Sequence, residues 1–212
     1  MEFVQPIREK KKIDSIKKAL KSGFTVLKNT PSSDELRPIQ REGNLRDYAL
    51  FTLGINSGLR ISDLLELKVH DVLDKKNKVV DRIALREKKT GKTKDFPLGK
   101  TTKKALDEYL ASWEHKPEDH LFPSRKKCGK YDGRLTRQQA YNIINDAARA
   151  VGIKEKIGTH TMRKTFGYHA YQQGMDITRI QQLLNHSAPS VTLRYIGITQ
   201  DQLDEVYLTL EL

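Results

Sequence analysis

The chain of 212 residues has one cysteine, Cys128, which excludes a disulfide framework within the chain and a zinc site built on four cysteines. It has no apolar run near the ~20 residues that cross a bilayer. Its first residues, MEFVQPIREKKK, lack the apolar stretch of a secretory signal. Aromatic residues are scarce, at 7%, with a single tryptophan. No internal repeat and no low-complexity tract interrupts the sequence. A reducing, cytoplasmic setting follows as the expectation. Positive charge is what the chain does have: 39 Lys and Arg stand against 27 Asp and Glu, a formal charge of +12. Such an excess suits a polyanion, most simply nucleic acid. At this length a chain buries roughly 70% of its unfolded surface without staples.

The charge is unevenly placed. Lys10, Lys11, Lys12, Lys17, Lys18 and Lys21 mark the first segment. Nine basic residues fall between Arg82 and Lys104, and Arg125, Lys126, Lys127 and Lys130 form another group. Residues 196–212 carry no Lys or Arg and four acids, Asp201, Asp204, Glu205 and Glu211. Phosphate would repel that tail, so it is expected to face protein.

Periodicity predicts a mainly helical chain with one small antiparallel sheet, an α+β class. Ile13, Ile16 and Leu20 share one face of a helix near 8–21. Residues 29–34 read as a polar loop. An apolar helix spans 45–55 and ends at Asn56-Ser57-Gly58, after which Ser62 is placed to cap the next helix, with Asp63 in its first turn. Two strands, 79–85 and 92–98, flank a turn in which Gly91 takes positive φ. Helices follow at 101–113 and 135–151, separated by a basic irregular stretch at 117–133. Further helices lie near 161–173, 176–185 and 189–195. An amphipathic tail helix covers about 199–210, with Leu203, Val206, Tyr207 and Leu210 in register.

Four segments carry possible chemistry. Arg60, between a helix-ending glycine and a helix start, could grip two oxygens of a phosphate, or pair with Asp63 or Glu66 at the surface. Lys89, on a hairpin tip, could protonate a leaving alkoxide, or be one more solvated lysine. His160 and Arg163, three apart at a helix start, could face one phosphate, or be a capping His and a surface Arg. His186 precedes a helix that Ser187 is placed to cap, and Tyr195 follows nine residues later. A tyrosine can attack phosphorus once its proton is removed, although a core tyrosine with a buried hydroxyl is the commoner case.

Taken together, the order Arg60, Lys89, His160-x-x-Arg163, His186, Tyr195 resembles the catalytic set of the tyrosine recombinase (phage integrase) family. Gly58-Leu59-Arg60-Ile61-Ser62-Asp63-Leu64 is similar to its first arginine box. Lys89-Thr90-Gly91, eight residues before Pro97, is similar to its hairpin lysine. His160-Thr161-Met162-Arg163-Lys164-Thr165-Phe166 resembles the second box, and Leu183-Leu184-Asn185-His186 with Tyr195 resembles the third-box histidine and nucleophile. The spacings agree: 163 to 186 is 23 residues and 186 to 195 is 9. Asn185 stands where many members have glycine, and Asp63 where many have glutamate.

The resemblance covers about 8–208. It implies a catalytic domain, with a core at about 8–195, a tail helix at 196–212 and no N-terminal core-binding domain within 1–212. It implies DNA cleavage and rejoining without metal, cofactor or ATP. Tyr195 would form a 3′-phosphotyrosine; Arg60, Arg163 and His186 would stabilise the phosphorane; and Lys89 would protonate the 5′-oxygen. His160 would help deprotonate Tyr195 or orient the phosphate, and Asp63 would position Arg60. The cationic surroundings are expected to favour the Tyr195 phenolate. Double-stranded DNA is the expected partner, held by Lys92, Lys94, Arg125, Lys126 and Lys127. Arg137 and Gln138, at the start of the helix led by Thr136, are placed to read bases. Self-association into a tetrameric synapse on DNA, through the tail, is also implied, as is work on nucleoid or mobile-element DNA. The alternatives are topoisomerase-like relaxation of the type IB kind, or a DNA-binding domain with little activity of its own.

Overall fold

In the computed structural model, residues 4–30, 33–88, 91–124, 133–198 and 208–210 are described. Helix α2, Leu45–Ser57, is the centre of the molecule. Asn44 caps it by accepting from the Arg46 and Asp47 N–H groups. From Ala49 to Ile55 every residue is buried, so this helix is apolar all round. Helix α1, Lys10–Ser22, packs on it through Ile13, Ile16 and Leu20. Helix α3, Ile61–Leu64, is a single turn, and the hairpin strands β3, Arg82–Arg86, and β4, Thr93–Pro97, follow. Helix α4, Lys100–Leu110, covers another side of α2. Helix α5, Arg137–Ala150, begins with a reciprocal capping box between Thr136 and Gln139.

A second, smaller apolar cluster lies beyond helix α6, Thr161–Gln172, where Ala170, Ile180, Leu184 and Ile196 meet. Helices α7, Ile177–Leu183, and α8, Pro189–Ile196, supply it. Helix α6 is thus a shared wall, packing on α2 in the main core and on α7 and α8 in the small one. Its approach to α8 needs a residue without a side chain, because a Cβ on Gly167 would lie 2.7 Å from Ile196 Cγ2.

The mainly helical class holds, but among the described residues there are two antiparallel hairpins where one was expected. Strands β1, Phe24–Thr30, and β2, Ser33–Arg41, pair across most of the stretch that precedes α2. Pro38 and the scattered charges hide the alternation, in which Val26 is buried and Leu27 exposed. What tethers this hairpin is ionic: Lys28 and Arg41 lie 2.5 and 2.8 Å from the carboxylate of buried Asp146 on α5. Residues 29–34, expected as a loop, belong to this hairpin's end, with 31–32 outside the described residues. Ser62 is not a cap, because α3 starts one residue earlier, with Arg60 at the N-cap position. Ser187 is not one either: Ala188 holds the N-cap position of α8, and Pro189 opens the helix with a preset φ. Of the expected tail helix only residues 208–210 are described, with Leu208 and Thr209 helical, and Tyr207 lies outside. Among the described residues, no helix is long and apolar enough to cross a membrane.

Gly167→Val would force the α6–α8 contact apart. The expected loss is about 1–3 kcal/mol of unfolding free energy, read as a lower midpoint in a urea titration.

Candidate active site

The site starts where α2 ends. Gly58 closes the helix in the left-handed conformation, φ 59° and ψ 22°, which glycine adopts without a steric penalty. Two buried cations then hold the carbonyls of this turn. Lys94 Nζ donates to Ser57 O at 3.0 Å, and Arg163 Nη1 donates to Gly58 O at 2.6 Å. The chain emerges extended at Arg60, whose guanidinium lies 2.7 Å from Glu87 Oε2 and 4.0 Å from Asp63 Oδ2. Asp63 Oδ1 in turn accepts the Lys88 N–H at 3.1 Å, tying α3 to the turn end of the β3–β4 hairpin.

Arg163 lies one turn into α6 and is only 2% exposed. Its second nitrogen, Nη2, donates to Leu184 O at the end of α7. One planar fork therefore joins the C-terminal ends of two helices. The end of α7 also places His186. The Asn185 N–H bonds Gln182 O and the His186 N–H bonds Gln181 O, each at 3.0 Å, while Asn185 takes φ 48°. This is a Schellman ending, with asparagine in the left-handed position that glycine usually fills. His186 Nδ1 lies 3.0 Å from Thr192 Oγ1, whose hydroxyl can donate to Ala188 O. In the neutral ring this leaves Nε2 as an acceptor.

Tyr195 sits in the last turn of α8, half-buried. Its hydroxyl is 3.3 Å from His160 Nδ1, and its ring lies 4.7 Å from that of His186 at an angle of 71°. The Lys164 ammonium stands 5.0 Å from the centre of the Tyr195 ring. His160 itself is exposed, at the N-cap position of α6.

Burial dominates the proton affinities here. It raises Tyr195 above the ordinary phenol value, and the nearby Arg163 and Arg60 only partly oppose that. The expected charge-favoured phenolate is thus corrected: without substrate the phenol keeps its proton. Burial, followed by the charges of Arg163 and Arg60, pushes His186 down to about 4. His160 is lowered by the partial desolvation of its ring, although the residue as a whole is exposed, and then by Arg163, Lys164, Arg137 and Arg60. Both imidazoles are therefore neutral near pH 7 and able to accept a proton. Burial and Arg163 push Lys94 down to about 8, against the opposing pull of Glu87.

Arg60, His160, Arg163, His186 and Tyr195 converge, with Asp63 beside them. Lys89 lies outside the described residues, as do Arg125, Lys126 and Lys127. Lys92, Arg137 and Gln138 are exposed. Lys94 is not the outward phosphate contact expected of it. It is 9% exposed and faces inward with Phe96, beneath the arginines. The sequence reading also missed Glu87, fully buried and 2.7 Å from Arg60. Alternation was the available signal, since Ile83 and Glu87 share a strand parity, as do Lys94 and Phe96.

Residues 32–201 match the Phage integrase family. The chain is 41% identical over 207 residues to the probable integrase/recombinase YoeC of Bacillus subtilis, covering 98% of this chain and 97% of that protein. It is 34% identical to the tyrosine recombinase XerC of Thermodesulfovibrio yellowstonii, covering 91% of this chain but 63% of that one. Among solved structures, XerA recombinase aligns with a TM-score of 0.68 at 23% identity, covering 99% of this chain and 65% of that chain. The XerH recombinase bound to its difH DNA aligns at 0.64 and 20% identity, covering 95% and 51%. These two likenesses are of fold.

The lowered histidines carry a sign for stability. The folded value of His186 lies below its unfolded one, so the unfolded chain binds the extra proton between about pH 6.5 and pH 4. Stability is then present above that window and is lost as pH falls through it. His186→Gln should keep more of its neutral-pH stability at about pH 5 than wild type does, measured by urea midpoints. A residual slope should remain from His160.

Proposed function

The chain belongs to the phage integrase family, the tyrosine recombinases, and from that membership we propose that it is a site-specific DNA recombinase that cuts and rejoins strands through Tyr195. The observation that carries the reading is the meeting of the Tyr195 hydroxyl, 3.3 Å from a neutral His160 nitrogen, with the Arg163 guanidinium and the His186 ring. The Tyr195 oxygen attacks phosphorus as its proton passes to His160. The bond from phosphorus to the 5′-oxygen breaks, and Lys89 supplies a proton to that leaving oxygen. Arg60 and Arg163 face the charge that builds on the non-bridging oxygens, and His186 joins them once the incoming phosphate has raised its proton affinity and it carries a proton on Nε2. The phosphotyrosine preserves the phosphodiester, so reversal with a new 5′-hydroxyl needs no external energy.

A buried, protonated phenol suits this order of events. A loose phenolate would meet water and stray electrophiles, whereas a phenol beside two neutral imidazoles loses its proton only when a phosphate is in place. The incoming phosphate also offsets the arginine charge that depresses His160 and His186, raising their affinity for a proton.

Double-stranded DNA would lie across the face that carries Lys88, Lys92, Arg134 and Arg137. The N-terminal end of α5, with Arg137 and Gln138 exposed, is placed to enter a groove. The acidic, amphipathic tail beyond Gly197 is proposed to dock on a neighbouring protomer within a DNA-bound tetramer. The reading places the work in the cytoplasm, on nucleoid or mobile-element DNA.

With a nicked suicide duplex, the wild-type chain should form a covalent DNA adduct that survives denaturation and is indifferent to EDTA, while Tyr195→Phe forms none. An adduct that persists in Tyr195→Phe would pass the nucleophile's role to Tyr207. Lys89→Ala should slow adduct formation by about 10²–10³ with DNA affinity nearly kept in gel-shift titrations; an equal loss of affinity reduces Lys89 to a phosphate contact.

A further inference from the structure

Arg60 is not held by its own helix. The group nearest its guanidinium is Glu87, the residue that follows β3 into the hairpin turn, at 2.7 Å. The same carboxylate oxygen, Oε2, accepts a hydrogen bond from Asn185 Nδ2 at 2.8 Å. Only the amide nitrogen can donate to a carboxylate, so chemistry fixes the orientation of this side chain. Glu87 is fully buried, and 98 residues separate the partners in the second bond. Asn185 also sits at φ 48° in the turn that delivers His186. Glycine would serve that turn at least as well for the backbone. What asparagine adds is a donor, and the donor reaches the carboxylate that holds Arg60.

We propose that Asn185 and Glu87 are positioning residues that lock the Arg60 guanidinium to the His186 turn, so that the two groups meant for one phosphate keep a fixed separation. The link runs from the Asn185 amide to the Glu87 carboxylate to Arg60 Nη1. It is independent of the Arg163 fork, which grips the backbone of both turns but touches neither Arg60 nor His186 in any bond described above. A buried carboxylate shared by an arginine and an amide is also well suited to this task. As an ion pair at 2.7 Å it limits how the guanidinium can turn.

The inference rests on the recombinase reading, and the test keeps the two apart. The decisive variant is Asn185→Gly, which relieves the left-handed backbone and removes only the amide. The expectation is an unchanged or higher thermal midpoint, unchanged DNA affinity, and an adduct-forming rate at saturating suicide DNA about tenfold lower, the worth of one hydrogen bond to a charged group. Asn185→Asp, which sets a second carboxylate against Glu87, should be slower still. Adding Asn185→Gly to Glu87→Gln should cost less than the product of the two separate losses, because both act through one link. A readout free of catalysis is the guanidinium NMR signal of Arg60, assigned by its loss in Arg60→Lys. Hindered rotation should split the Nη protons in wild type, and Asn185→Gly should average them. An Asn185→Gly chain that cleaves at the wild-type rate overturns the proposal, whatever its NMR signal. So does an Arg60 signal unchanged by the substitution. If wild type forms no adduct at all, the recombinase reading falls, while the Arg60 signal still decides the link.

Discussion

The buried guanidinium of Arg163 is the interaction on which the rest of the site hangs. It bonds Gly58 O at the end of α2 and Leu184 O at the end of α7. Those carbonyls are orphans of their helices, and each carries the negative end of a helix dipole. A flexible ammonium could satisfy one of them; a planar fork satisfies both and sets their distance. Arg60 leaves the first turn and His186 leaves the second. The relative placement of Arg60 and His186, the two sequence-distant groups proposed to hold phosphate, is therefore a consequence of one side chain that is 2% exposed.

Holding so much positive charge in a half-dry site is costly, and the molecule offsets it locally. Arg60, Arg163 and Lys94 stand against Glu87 and Asp63, all five buried or nearly so. The balance is incomplete, which is the condition an empty anion site needs: enough carboxylate to keep the guanidiniums ordered, and enough net charge left to attract phosphate. Desolvation decides the proton positions in the same place. It raises the Tyr195 phenol and lowers both imidazoles, so that the proposed nucleophile and proton acceptors rest in their neutral forms. Charge alone would have argued for a phenolate. The magnitude of burial wins, because the tyrosine lies on the small cluster of α6, α7 and α8 with little water around it.

The architecture separates support from chemistry. The main core around α2 carries α1, α4, α5 and both hairpins, while Tyr195, the proposed nucleophile, belongs to α8, in a cluster of only four buried residues among those described. Helix α6 belongs to both, and the small residue Gly167 lets α8 approach it closely enough to bring Tyr195 beside His160. A nucleophile on a small cluster against a rigid wall can shift with modest loss of burial. The arginines on the other side of that wall are fixed by the large core.

The helices and their faces were readable from the chain, since Ile13, Ile16 and Leu20, or the unbroken apolar run before Gly58, state their period directly. The residues that converge at the candidate site were readable too, because each box is local: a turn glycine before Arg60, a one-turn step from His160 to Arg163, nine residues from His186 to Tyr195. The first hairpin was not, because Pro38 and alternating charges mask its period and its anchor, Asp146, is over a hundred residues away in sequence. Lys94 reads as an outward phosphate contact, and Glu87 goes unnoticed, for a related reason. Their parity with Phe96 and Ile83 marks them as inward, but only the partners waiting inside make an inward charge tolerable, and those partners come from α2, α3 and α7. The chain alone was enough to name the candidate groups and the order in which they occur. Only the tertiary structure decided which charges are buried, which carboxylate holds Arg60, and that the tyrosine rests protonated. Desolvation and ion pairing depend on distances between segments, and no local pattern encodes those distances.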